Sequence, residues 1–393
     1  MPAPLLIASL AQLACHCASH KDFELKVPDG GFKRILRPDS MKACLMQVCT
    51  EGYEAFELSQ TTMERIKLHT SKIPDHMRRA VMILIKGGPR EVDAHLPIVL
   101  GSIERVAGMC DEKSKEVVEK YESVRELIDE LLSTGQSTKN HNEILCNTLK
   151  RERVNSDSEV STESPRSLSS LSQTFGVIMG SRLRERFTND PTFRKTFRDV
   201  EIAGLTNTIG SLEEIVDTLQ VATRHLADLS ERWRGLRGFF QRMAGLIDSA
   251  TKPSMQFVEH ARKMREDGVK MKDMEGDLIY SLARDAVTVG YVANRLATGY
   301  VEVSKDHLMD PVSRLPRLMV LDKDSDEAEI QRLMREIQEE CKQANNALRT
   351  RVEPERRKFE RELQMKRDAV REEFAPIFVI DSPTKVVKKW NSI

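Results

Sequence analysis

The residues with the greatest capacity for chemistry lie near the start of the chain, in Cys15-His16-Cys17 and His20. Thiolates and imidazoles are the soft ligands of zinc-like metals, and a site needs several of them to converge on one point. On a helix, positions 15, 16 and 17 point in different directions, and no second cluster with suitable spacing completes a set of four. Incidental cysteines and histidines are therefore expected, with no resident metal.

Other catalytic patterns are missing from the sequence. The nine histidines are dispersed, and there is no G-x-S-x-G, H-E-x-x-H or C-x-x-C. Gly87-Gly88 in "IKGGPREV" and "GGFKR" at 30–34 are fragments of a phosphate loop at best, and read as turns. In the tail "TKVVKKWNSI", Lys385, Lys388 and Lys389 beside Trp390 suit a lipid headgroup boundary, although a terminal tail this short is more often simply solvated. The expectation is a non-enzymatic protein with no cofactor and no small-molecule substrate.

Composition narrows the class further. Sixty-one basic residues balance sixty-one acidic ones, which argues against a general nucleic-acid binder, since such a protein carries a basic excess against phosphate. Seven cysteines, an odd number scattered along the chain, point to reduced thiols and a reducing compartment, cytoplasmic as synthesised. The opening "MPAPLLIASLAQLACHCASHK" has no Lys or Arg before Lys21, so it reads as mature protein and not as a signal peptide. No window elsewhere approaches the ~18–20 apolar residues of a membrane-spanning helix.

The elements that would position any site are helices. Charged residues make up 31% of the 393 residues and aromatics only 5%, a balance typical of long solvated helices. Leu205, Ile209, Leu212, Val216, Leu219, Leu226, Leu229, Trp233, Leu236, Phe240, Met243 and Ile247 recur mostly at steps of three or four, which predicts a helix about 60 Å long. Pro253 is expected to kink or interrupt it. A second stripe runs over 111–133, with a break expected at Gly135-Gln136-Ser137 before it resumes at Ile144, Leu145 and Leu149. A third covers 275–308, closed by Pro311 and Pro316. A fourth runs over 326–374, with acidic residues in its first turn and Pro354 as an internal flaw. "KAC" through "VCT" near residue 45 can be read as strand or helix.

Such stripes cannot be buried by one helix alone. The fold class is therefore all-α: an elongated antiparallel bundle formed by 1–150 and 201–375, a small Ser-rich head or loop at 151–200 between two core helices, and a tail at 376–393. Within the inserted segment, Ser164-Pro165 is a plausible phosphorylation context. Near the N-terminus, Leu6, Leu10, Leu13 and Ala14 share one helical face and Ser9, Gln12 and His16 soften the other, which suits either a core helix or a membrane-seeking amphipathic one.

The layout of a long helix, an inserted segment, a second long helix bearing Trp233, Leu236, Phe239 and Phe240, and then "YVANRLATGYVEVS" with Tyr291, Tyr300, Val303 and Ser304 followed by "HLMDPVSRLPRL" resembles the α-helical pore-forming toxins of the cytolysin A class. It is most similar to xenorhabdolysin-like two-component subunits and their fungal relatives, over roughly residues 100–375. The resemblance implies a rod-like soluble bundle with a head that meets a membrane. Here the head is polar, and its apolar stretch Phe175-Gly176-Val177-Ile178-Met179 is too short to cross a bilayer. What it implies for this chain is a subunit that docks on a membrane surface and assembles with a protein partner or further copies. Leu6, Leu10, Leu13, Phe175, Val177, Ile178 and Met179 are the candidate membrane contacts, and Trp233, Leu236, Phe240, Tyr291 and Tyr300 the bundle-packing residues. The alternative is an intracellular coiled-coil scaffold whose charged helix at 326–374 pairs with another chain.

Overall fold

A computed structural model describes residues 2–28, 30–158, 191–266 and 273–374. The described residues form helices α1 (Pro2–Ser19), α2 (Met41–Thr70), α3 (Ile73–Lys86), α4 (Pro89–Ser158), α5 (Pro191–Glu266), α6 (Asp273–His307), α7 (Met309–Ser313), α8 (Leu315–Met319) and α9 (Lys323–Phe374), with no strand among them. The protein is an all-α helical bundle. "KAC" through "VCT" lies in α2, whose N-terminus is capped by Ser40 Oγ accepting the Ala43 N–H at 3.0 Å.

The longest pairing is the antiparallel hairpin of α4 and α5. Its register is held from Arg237–Asp111 (3.6 Å) through Arg234–Glu122 (2.7 Å) and Lys139–Glu213 (3.1 Å) to Arg153–Asp199 (2.9 Å). From residue 111 to residue 153 that is a ladder of about 60 Å. These pairs are partly exposed and each contributes little stability, while the buried seam supplies most of it: Val117, Tyr121, Val124, Ile128 and Leu131 face Leu212, Leu219, Leu226 and Trp233.

Four local expectations change here. The Gly135-Gln136-Ser137 break does not occur, and α4 runs through it; a Cβ on Gly135 would lie 3.4 Å from Val216 Cγ2, so this glycine marks where the two helices approach closely. Beyond it Ile144 and Leu145 are exposed, and the seam passes instead through Thr134, Thr138 and Cys146, because the 3.6-residue period drifts by about 20° per heptad against a fixed seam. At Pro253, α5 continues to Glu266; one missing hydrogen bond does not end a helix that carries on to both sides. The two core helices also extend into the inserted segment, to Ser158 and from Pro191.

Around one part of this hairpin the other helices gather. Phe56 of α2, Tyr121 of α4, Trp233 of α5 and Tyr300 of α6 form an aromatic cluster, with successive ring centroids 6.0, 6.4 and 5.3 Å apart. Such edge and tilted contacts add about 0.5–1.5 kcal/mol each beyond area burial. The Tyr121 and Ser59 hydroxyls are hydrogen-bonded at 3.1 Å, which satisfies the phenol in a site where burial raises its pKa well above the ordinary value. Leu236 is half-buried against the core and Phe240 is fully buried. Tyr291 stacks on Phe359 of α9 at 6.4 Å and donates its hydroxyl to Glu362 at 2.8 Å.

Connections close the body. Pro311 lies in α7 and Pro316 in the first turn of α8, two five-residue helices after α6 ends at His307. α9 is bent at Asp326 (φ −125°, ψ 19°) and runs on through Pro354. The α1–α2 connection straps onto α4: the Lys33, Arg34 and Ile35 N–H groups donate to the Glu130 carboxylate at 2.7, 2.7 and 2.9 Å.

Candidate functional site

α1 occupies the centre of the body, packed on α2, α5, α8 and α9. Only Leu5 and Gln12 are exposed along it. Leu6, Leu10 and Leu13 are 2%, 0% and 0% exposed, so in this arrangement the candidate membrane face of the helix is the centre of the core. Gly52 of α2 permits this packing, since a Cβ there would sit 2.7 Å from Leu10 Cδ1. Of the softer face, Gln12 stays exposed while Ser9 and His16 are buried. These two lie along α5, where Ser9 Oγ is 3.2 Å from His225 Nδ1.

The antiparallel register that pairs Ser9 with His225 continues to a polar cluster at the end of α1. His16 and His20 are one turn apart, linked by the His20 N–H donating to His16 O at 3.1 Å, so their side chains share a face. Opposite, Ser211, Glu214 and Thr218 lie at steps of three and four on α5. His16 Nδ1 is 2.9 Å from His20 Nε2, and the rings stack with centroids 5.0 Å apart. His20 Nε2 is also 3.3 Å from Glu214 Oε2. The remaining ring nitrogens are satisfied by hydroxyls: His16 Nε2 lies 3.1 Å from Thr218 Oγ1, and His20 Nδ1 lies 2.9 Å from Ser211 Oγ.

Burial pushes the His16 pKa down to about 4, and the neighbouring His20 lowers it further than Glu214 restores it. His16 is therefore a neutral imidazole at neutral pH, able to offer a lone pair. Glu214 is 64% exposed at its side chain and His20 20%, so the cluster reaches solvent along one edge.

The two cysteines of the sequence motif leave this cluster. Cys15 lies 3.7 Å from Ser19 Oγ, and the Cys17 thiol donates to Lys42 O at 3.7 Å on the α2 side. Burial pushes the Cys17 thiol up to about 12. Divergence of 15, 16 and 17 is as expected on a helix, but sequence reasoning misses the spacing that matters, His-x-x-x-His, and has no means of finding Glu214, Ser211 and Thr218 two hundred residues away.

Phe175, Val177, Ile178 and Met179 lie outside the described residues, as do Ser164-Pro165, "IFVI" at 377–380 and the tail with Lys385, Lys388, Lys389 and Trp390. Among the described residues, α1 is the one helix long and apolar enough to cross a membrane, and 72% of it is buried in the bundle. No protein-family model matches the chain, and no curated protein matches its sequence.

Proposed function

We propose that the protein is a non-enzymatic helical rod that docks on a membrane surface and assembles with a partner or further copies of itself, in the manner of a subunit of the α-helical pore-forming toxins. The observation that supports this most is α1: a helix just long and apolar enough to cross a bilayer, stowed inside a bundle of helices beside a long hairpin. Each fully buried Leu or Ile side chain of α1 contributes about 1.5–3 kcal/mol relative to water, which holds the helix in place. Lipid tails are about as apolar as leucine, so a bilayer offers those side chains an equivalent environment.

The hairpin carries the first contact. Its connection contains Phe175-Gly176-Val177-Ile178-Met179, and the stretch leading towards it exposes Ile144 and Val200, each 66% accessible. Replacing Phe175 and Ile178 together with Asp is expected to abolish flotation of the protein with lipid vesicles while leaving its helical circular-dichroism spectrum intact. Unchanged flotation of that double variant would contradict docking through this segment. One observation favours the scaffold alternative: beyond Pro354, α9 leaves most of its side chains exposed, Met365 at 62%, a surface that another helix could cover.

A further inference from the structure

We propose that His16 Nδ1, His20 Nε2 and Glu214 Oε2 form a binding site for a divalent transition metal of the zinc class, with the fourth coordination position open to solvent. The three side chains present ligand atoms within 4.8 Å of one another, and among the described residues no other group of His, Cys, Asp and Glu converges in this way. Two histidines and a carboxylate are a ligand set that zinc accepts when a water completes the tetrahedron.

Distances support the assignment. With bonds of about 2.0–2.1 Å, ligand atoms around tetrahedral zinc lie roughly 3.3 Å apart. The His20–Glu214 separation is 3.3 Å, and the His16–His20 separation of 2.9 Å needs to open by only about 0.4 Å, well within side-chain freedom. Outer partners are also in place. A metal-bound imidazole donates its other N–H to an acceptor that fixes its tautomer, and here Thr218 Oγ1 and Ser211 Oγ stand at those positions. Thr218 directs its own proton to Glu214 O at 2.9 Å, which leaves its oxygen free to accept from His16.

Helix α1 and helix α5 supply ligands from opposite sides, so a bound ion clamps the last turn of α1 onto the long hairpin. Zinc binding here is independent of whether the protein meets a membrane.

The test uses the full chain freed of metal by a chelator and titrated with Zn²⁺ against a chromogenic competitor, then with Co²⁺ to read the ligands by absorption. One equivalent of Zn²⁺ is expected to bind, the Co²⁺ complex should show d–d bands without thiolate charge transfer, and Zn²⁺ should raise Tm in a concentration-dependent way. His20→Ala and Glu214→Gln should each lose high-affinity binding, and Ser211→Ala should weaken it about 10–100-fold through the loss of ring orientation. Glu214 is largely exposed, so Glu214→Gln keeps the fold and separates lost ligation from lost structure. Absence of stoichiometric uptake, a thiolate signature, or unchanged affinity in His20→Ala and Glu214→Gln would overturn the site.

Discussion

Replacing Trp233 with alanine removes the ring that joins α5 to Tyr121 of α4 and Tyr300 of α6. The indole is 1% exposed, tilted against Tyr121 at 6.4 Å and edge-on to Tyr300 at 5.3 Å. Truncating a buried aromatic to alanine costs about 3–5 kcal/mol, of which two ring contacts account for roughly 1–3. Unfolding entropy near 2.1 cal/mol/K per residue gives about 0.8 kcal/mol/K for a chain of this length, so a cost of about 4 kcal/mol lowers Tm by ~5 °C. Thermal melts followed by circular dichroism measure this directly. Trp233→Phe keeps one ring in the cluster and should lose less than half as much. In a Trp390→Phe background the emission of the wild-type indole should be that of a buried tryptophan. A Tm for Trp233→Ala within about 1 °C of wild type, or emission at the solvent-exposed wavelength, would refute the packing argument.

Gly290→Ala should destabilise the protein despite alanine's better helix propensity of about 1 kcal/mol, because its Cβ would lie 2.7 Å from Ile73 Cγ2 and overpacking costs about 1–3 kcal/mol. Gly210→Ala, with nothing within 4 Å, should stabilise it in the same denaturant assay; equal effects would defeat the contrast. For Glu130, burial alone would raise the pKa, but the three backbone N–H bonds and the Lys33 charge outweigh it and hold the carboxyl below its ordinary value. A lowered folded-state pKa means that the strap's stabilisation is complete above the unfolded value and is lost as pH falls through the folded one. The protection of the Lys33, Arg34 and Ile35 amides, measured relative to their intrinsic exchange rates, should therefore fall on acidification, and Glu130→Ala should give fast exchange at neutral pH; slow exchange in that variant would count against the strap. Cys15 is the one half-buried thiol, and burial pushes Cys17, Cys44, Cys110 and Cys341 up to about 12. At pH 8 such a thiol is roughly one part in 10⁴ thiolate, so native protein should alkylate quickly at Cys15 alone and at all seven cysteines in denaturant. Rapid native labelling of several would show the core to be open.

The long helices are legible in the sequence because their apolar steps of three and four persist over many turns, as from Leu212 to Ile247. Interruptions are read less well. Gly135 suggests a break when taken alone, yet it lies in the helix against Val216 of α5, and Pro253 removes one hydrogen bond without ending α5. The exposure of Ile144 and Leu145 follows from the 3.6-residue period drifting against a fixed seam, a shift that apolar identity does not reveal. The N-terminal helix shows two faces in sequence, but four neighbouring helices bury the apolar one and most of the other, and Ser9 and His16 find partners on α5 through a register that only the folded chain defines. For the same reason Cys15-His16-Cys17 draws attention to ligands that diverge, while the converging set of His16, His20 and Glu214 requires two helices to be aligned.

Flotation of the purified protein with neutral and anionic vesicles, with dye release read on the same samples, tests the central claim most directly. Membrane docking predicts that the protein rises with at least one vesicle composition, whether or not dye escapes. Protein that stays at the bottom of the gradient with every composition would contradict docking and leave the helical scaffold as the better account.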